Sequence, residues 1–254
     1  MSDGDQPKQP LIAHLLELRR RLIWCVALYI VAFGLCYEFA AEIYDWLARP
    51  LVAALDGEQR RFIYTSLTEA FVTYVRVAAW AALCVAFPFI LMQVWRFIAP
   101  GLYRNERQAL VPFLIATPVL FAAGAALAYF YVIPLAWKFF LGFEHMAVPG
   151  ALPVELEARM AEYLNLTMSL LFAFGVAFQL PVLMLLLVKF GILTPEELSK
   201  RRRYAILIIF IVAAVLTPPD IMSQFCLAVP LMALYEGGII AAKLLYKKPV
   251  PENA

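Results

Sequence analysis

Long apolar runs divide this chain, and its charged residues are confined to the short segments between them. The runs fall at roughly 22–41, 72–95, 110–137, 164–188, 204–217 and 221–238. Crossing the hydrocarbon core of a bilayer, about 30 Å, takes a helix of about 20 apolar residues. No water is available there to bond the backbone, so each run must satisfy its own N–H and C=O groups as a helix. The pattern predicts an all-α membrane protein of six transmembrane helices in a curved bundle, one integral membrane domain over residues 1–254. The last two runs are short. Residues 204–217 make about 21 Å of helix, a mismatch relieved by thinning the bilayer or by burial among longer neighbours. Several runs contain proline (Pro88, Pro118, Pro134, Pro181, Pro230), which removes a helical hydrogen bond and favours curvature.

Lysine and arginine give the orientation. Fifteen of the 21 lie in one set of segments, including Arg19 to Arg21, Arg96, Arg104, Arg107, Lys200 and Arg201 to Arg203, and six lie in the other. The positive-inside rule makes the first set cytoplasmic, with both termini on that side of a cytoplasmic (inner) membrane. The opposite face is acidic and holds two longer segments. There Ile43, Trp46, Leu47 and Leu51 repeat at helical spacing across Pro50, and Leu156, Met160 and Tyr163 do so later, so short amphipathic helices are expected to cap the outer surface. The polar N-terminus, residues 1–10, has no basic and apolar regions of the kind a removable signal has.

The residue inventory excludes several chemistries. The two histidines lie outside the runs, and no HExxH pair, GxSxG elbow or phosphate loop is present. The four cysteines lie in apolar runs without metal-like spacing and read as small buried hydrophobes. The expectation is therefore no enzyme, no cofactor and no metal. A net charge of +2 makes nucleic acid no evident partner.

Polar residues near the runs are the candidates for function. In His14-Leu15-Leu16-Glu17-Leu18-Arg19-Arg20-Arg21, Leu11, Leu15, Leu18 and Leu22 form one stripe, so residues of about 10–21 make an interfacial helix leading into the first span. Glu17 is either paired with Arg21 across one turn or part of a ligand site. In the turn Phe97-Ile98-Ala99-Pro100-Gly101-Leu102-Tyr103-Arg104-Asn105-Glu106-Arg107, Glu106 either favours a helix N-terminus or acts with Glu17. Two carboxylates among many arginines suggest a site for cationic groups. Asp220, in Leu216-Thr217-Pro218-Pro219-Asp220, has helix-capping chemistry. Gln179 lies near mid-membrane, where it either bonds the carbonyl freed by Pro181 or makes a functional contact.

These motifs, HLLELRRR, QVWRFIAPGLYRNER, FGVAFQLPV and LTPPDIMSQ, in this order and topology, resemble the signatures of the TatC family from about Leu11 to Ala241. The resemblance implies the receptor and core subunit of the twin-arginine protein translocase. Such a subunit binds the arginine-pair signal peptide of folded cargo for export driven by the proton-motive force. It implies that Glu17 and Glu106 accept the signal arginines, with Arg19, Phe97, Tyr103 and Arg107 shaping the surface. Implied partners are single-span TatA-like and TatB-like proteins near the fifth and sixth spans and along the fourth, in an oligomeric complex. Gln179 would be a polar contact for them or for a deep signal. Many relatives carry glutamate there, so a proton relay is not expected through this amide. Pro50 and Asp220 would hold the outer cap. The rival reading is a secondary transporter or channel for a small solute, which calls for ionisable residues converging at the midplane.

Overall fold

The structure, a computed structural model, describes residues 11–54, 62–63, 66–98, 111–143, 157, 159–216 and 221–245. Among these the regular elements are helices, with one isolated bridge between Ile63 and Arg159. The helices are α1 (Leu11–Glu38), α2 (Ala40–Ala54), α3 (Glu69–Ile98), α4 (Val111–Leu127), α5 (Ile133–Leu141), α6 (Met160–Ala177), α7 (Leu180–Lys189), α8 (Pro195–Lys200), α9 (Arg202–Leu216) and α10 (Ile221–Leu245). A π-helical turn, Ala128–Val132, joins α4 to α5.

Five stretches among the described residues are long and apolar enough to cross a membrane: Leu15–Glu38, Glu69–Phe97, Pro112–Leu141, Met160–Lys189 and Gln224–Leu244. Their breaks follow from proline. The π turn comes just before Pro134, and the α6–α7 crossing is interrupted at Phe178 and Gln179, just before Pro181; proline has no N–H to give the helix ladder and crowds the preceding turn. The remaining apolar run is α9, 15 residues long, or about 22 Å against a core of about 30 Å. The last run continues past Gly237 and Gly238 to the end of α10 at Leu245. Gly238 is packed against Met184 of α7, where a Cβ would press on the thioether.

The α6–α7 crossing is the most enclosed of the five. Leu164, Leu170, Phe174, Val182 and Leu186 are all buried within it. It meets α4 through small residues. A Cβ on Gly124 would run into the Phe174 carbonyl, and one on Gly175 would run into the Phe121 ring. Each glycine thus admits the neighbouring helix, as is common where lipid offers no hydrophobic drive and close packing must hold helices together. By contrast, α1 has α3 as its principal neighbour. Ala32 on the α3 side is buried, while Ile30 and Leu35 are both 62% exposed. A helix apolar all round and covered on one side has lipid as its solvent.

Helix α2 lies at the end of the bundle remote from Glu17 and is amphipathic, burying Leu47, Ala48 and Leu51. It forms the short capping helix anticipated there. The second expected cap helix is different: Met160 and Tyr163 stand in the first turn of α6, so their spacing is that of a span entering the bundle, while Leu156 lies outside the described residues. The cap segments are tied by the Met160 N–H donating to the Ile63 carbonyl at 3.1 Å. Arg159 adds ion pairs to Glu69 at 3.6 Å and Glu162 at 2.7 Å.

At the other end, α7 stops in a left-handed glycine. Gly191 has φ +68°, its N–H donates to the Val188 carbonyl, and the Ile192 N–H donates to the Leu187 carbonyl, both at 3.0 Å. This double closure satisfies carbonyls at a helix end, and glycine adopts it without steric cost. Thr194 and Glu197 then form a reciprocal cap that starts α8.

Candidate functional site

Glu17 and Arg21 are one turn apart on α1, and the Arg21 Nε donates to Glu17 Oε1 at 3.0 Å, joined by Nη2 on the same oxygen. Their side chains are 30% and 22% exposed. A pair of this kind on an exposed helix contributes a few tenths of a kcal/mol. This one has a third member. The Arg21 Nη1 also donates to Gln93 Oε1 at 3.0 Å, so the network crosses from α1 to α3. Gln93 escapes a reading of the sequence because one amide at the end of an apolar run has no local signature. Its only signal is a helical spacing of four from Phe97, which puts both on one face of α3.

Arg19 is solvent-exposed and, two residues from both Glu17 and Arg21, lies on the opposite side of α1, while Phe97 is partly buried in the last turn of α3. The structure therefore brings Glu17, Arg21, Gln93 and the Phe97 turn to one end of the α1–α3 seam. Tyr103, Glu106 and Arg107 lie outside the described residues, as does Asp220. Beside Gln93 opens a cavity of about 370 Å³ whose walls include Trp24, Leu28, Phe89 and Met92, with Arg96 at its edge. A polar network at the rim of an apolar cleft can receive a segment that is charged at one end and greasy along the rest.

Gln179 is 7% exposed. Its Nε2 donates to the Thr117 carbonyl of α4 at 2.9 Å. The acceptor is thus on a neighbouring helix and is not the carbonyl freed by Pro181. Thr117 is itself buried, its hydroxyl donating to the Phe113 carbonyl at 2.8 Å. Gln179 also borders an apolar cavity of about 310 Å³ between α3, α7 and α9, near Leu91, Leu183 and Ile208. As a neutral amide it acts as neither acid nor base in the ordinary pH range.

Pro50 lies within α2. Having no N–H, it leaves the Trp46 carbonyl without its helical donor. That carbonyl accepts instead from the Tyr129 hydroxyl at 2.7 Å, and the Trp46 and Tyr129 rings stack at 3.9 Å and 1°. The Tyr163 hydroxyl donates to the next carbonyl, Leu47, also at 2.7 Å. Proline and two tyrosines from distant helices thus fasten the cap. Tyr44, also in α2, is pushed up to about 12 by burial and by neighbouring Tyr74 and Asp45, so it remains a neutral hydroxyl. Near the short helix, the Gln224 Nε2 donates to the Phe210 carbonyl at 3.2 Å. Arg202 pairs with Glu236 at 2.8 Å, tying α9 to α10 at the opposite end.

Several membrane-crossing helices, a capped far end and a polar network at the α1–α3 seam define a multispanning α-helical membrane protein. Comparison with known proteins gives the family: the model of TatC, Sec-independent protein translocase protein, matches residues 13–230, and this chain belongs to that family. It is similar to TatC of Magnetococcus marinus, 46% identical over 249 residues, covering 98% of this chain and 89% of that one. It is also similar to TatC of Escherichia coli strain K12, 40% identical over 240 residues, covering 94% and 90%. A crystal structure described as the twin arginine translocase receptor TatC matches with a TM-score of 0.76 at 36% identity, covering 91% of this chain and 98% of that chain.

Proposed function

We propose that this protein is the receptor and core subunit of a twin-arginine translocase, recognising the arginine pair of a signal peptide through Glu17 and Glu106. The observation that carries the reading is the Glu17 carboxylate, engaged with a guanidinium beside an apolar cleft, in a chain of the TatC family. A carboxylate offers two oxygens to the planar fork of arginine, which a lysine ammonium cannot match in geometry. Magnitudes divide the work. Partly exposed ion pairs contribute about 0–1 kcal/mol each, whereas burial of a signal's apolar stretch contributes about 0.8 kcal/mol per methylene. The charges select and the apolar stretch holds.

Arg19, Phe97, Tyr103 and Arg107 belong to the surrounding surface in this reading, and Pro50 and Asp220 to the cap side. The Glu17 end faces the cytoplasm, with both termini there, as the excess of lysine and arginine on that side supports. Single-span TatA-like and TatB-like partners would dock along α9 and α10 and beside α6–α7. Exposed Ile208, Ile211, Val215 and Phe225 offer them an apolar flank. The chain carries out no chemistry of its own, and the proton-motive force drives transport.

The test is binding of a signal peptide carrying RR, RK or KK to the wild type, Glu17→Ala and Glu106→Ala. Either substitution is expected to abolish the preference for RR while residual binding through the apolar stretch persists. Equal binding of all three peptides to all three proteins would sink the receptor reading and favour a small-solute transporter.

A further inference from the structure

The guanidinium of Arg21 is already held as a ligand's would be. Two of its nitrogens donate to Glu17 Oε1 on α1, and a third donates at 3.0 Å to Gln93 Oε1 on α3. A plain helix-surface pair needs no acceptor from a second helix. Two acceptors from different helices, set around one planar group, make a cradle suited to the fork of arginine. Glu17 and Arg21 remain 30% and 22% exposed, so the cradle is open on one side.

We infer that Glu17 and Gln93 are paired acceptors of the arginine site, and that Arg21 is its resident occupant, displaced by the guanidinium of the incoming peptide. This rests on the receptor reading above. Tethered one turn from Glu17, Arg21 competes at the high effective concentration of an intramolecular ligand. A free arginine-rich peptide meets that competition with its charges alone. A peptide that also seats an apolar stretch in the cleft by Trp24 and Phe89 is itself tethered, and competes on equal terms. The resident arginine therefore sets a threshold that membrane-seated arginine pairs pass and soluble basic segments do not. Because every ligand displaces the same occupant, its removal tightens all of them by one factor and leaves the RR-to-KK ratio unchanged.

The experiment uses the full chain in lipid nanodiscs and fluorescent peptides bearing RR or KK before one apolar segment. Arg21→Gln is expected to tighten both peptides about two- to five-fold, the worth of a partly exposed ion pair. Arg20→Gln, which removes the same charge from an exposed neighbour, should tighten them less. Adding Gln93→Leu to Arg21→Gln should weaken RR more than KK, since it removes one acceptor of the fork. Equal effects of Arg20→Gln and Arg21→Gln, or weaker binding in Arg21→Gln, would overturn the occupant. No effect of Gln93→Leu in that background would overturn the second acceptor. Should Arg21→Gln fail to fold, Arg21→Lys, which keeps the charge and loses the fork, is expected to tighten both peptides by a smaller factor, and unchanged binding there would overturn the occupant. Glu17→Gln separates the two levels: if it leaves RR binding intact, the receptor reading itself falls.

Discussion

The Tyr129 hydroxyl bonds a carbonyl that lacks its helical donor because residue 50 is proline. The two residues are therefore energetically coupled although they sit on different helices. Tyr129→Phe strands the Trp46 carbonyl, which in a partly buried place costs about 1 kcal/mol. Pro50→Ala restores an N–H that can take up the same carbonyl. The expected outcome is a sub-additive cycle: Tyr129→Phe destabilises strongly in the wild type and weakly in Pro50→Ala, measured by thermal unfolding in detergent. Additive losses would show that ring stacking on Trp46, and not the hydroxyl, is what Tyr129 contributes. The same residue-scale logic explains why the partner of Gln179 is not legible in the sequence. Pro181 lies two residues away and points to the freed carbonyl, whereas the acceptor belongs to Thr117, 62 positions distant. Partners across helices depend on which helices cross, and no local pattern carries that.

At the scale of elements, the turn from α7 into α8 has a titratable lock. Glu197 accepts from the Thr194 N–H at 2.8 Å and from its hydroxyl at 3.2 Å. Those bonds, chiefly the one from the backbone, hold its carboxyl below the ordinary 4.5. A depressed folded value means that the stabilisation is present in full above pH 4.5 and is lost as the pH falls through the folded value. Amide protection in α8, followed by hydrogen exchange, should accordingly drop below that pH in the wild type and show no such step in Glu197→Gln. A wild type without the step would remove Glu197 from the cap. Elements of this sort are legible to different degrees. Apolar length is a local property, so the long spans and the shortness of α9 can be read directly. The assignment of Met160 and Tyr163 to a separate cap helix fails because helical spacing cannot tell a surface helix from the first turn of a span. Gln93 is invisible for the opposite reason: its meaning lies wholly in its meeting with Arg21.

At the scale of the molecule, the described residues combine five stretches long enough to cross a bilayer with α9, an apolar helix of about 22 Å. The short helix favours a locally thinner hydrocarbon layer. In nanodiscs of graded acyl length, the melting temperature is expected to peak in thin bilayers, and inserting one apolar turn into α9 should move the peak to thicker ones. An unmoved peak would mean that α10 and its neighbours, and not lipid, absorb the mismatch. The Glu17 end has a mechanical side as well. Helix α1 meets the body along one seam, and the bond from Arg21 to Gln93 is a strut across it. On the receptor reading, a visitor that draws Arg21 away unfastens that strut while filling the cradle. Occupancy of the site and slack in the seam are then the same event, so that news of a bound peptide leaves the site as a change in how firmly the first helix is held.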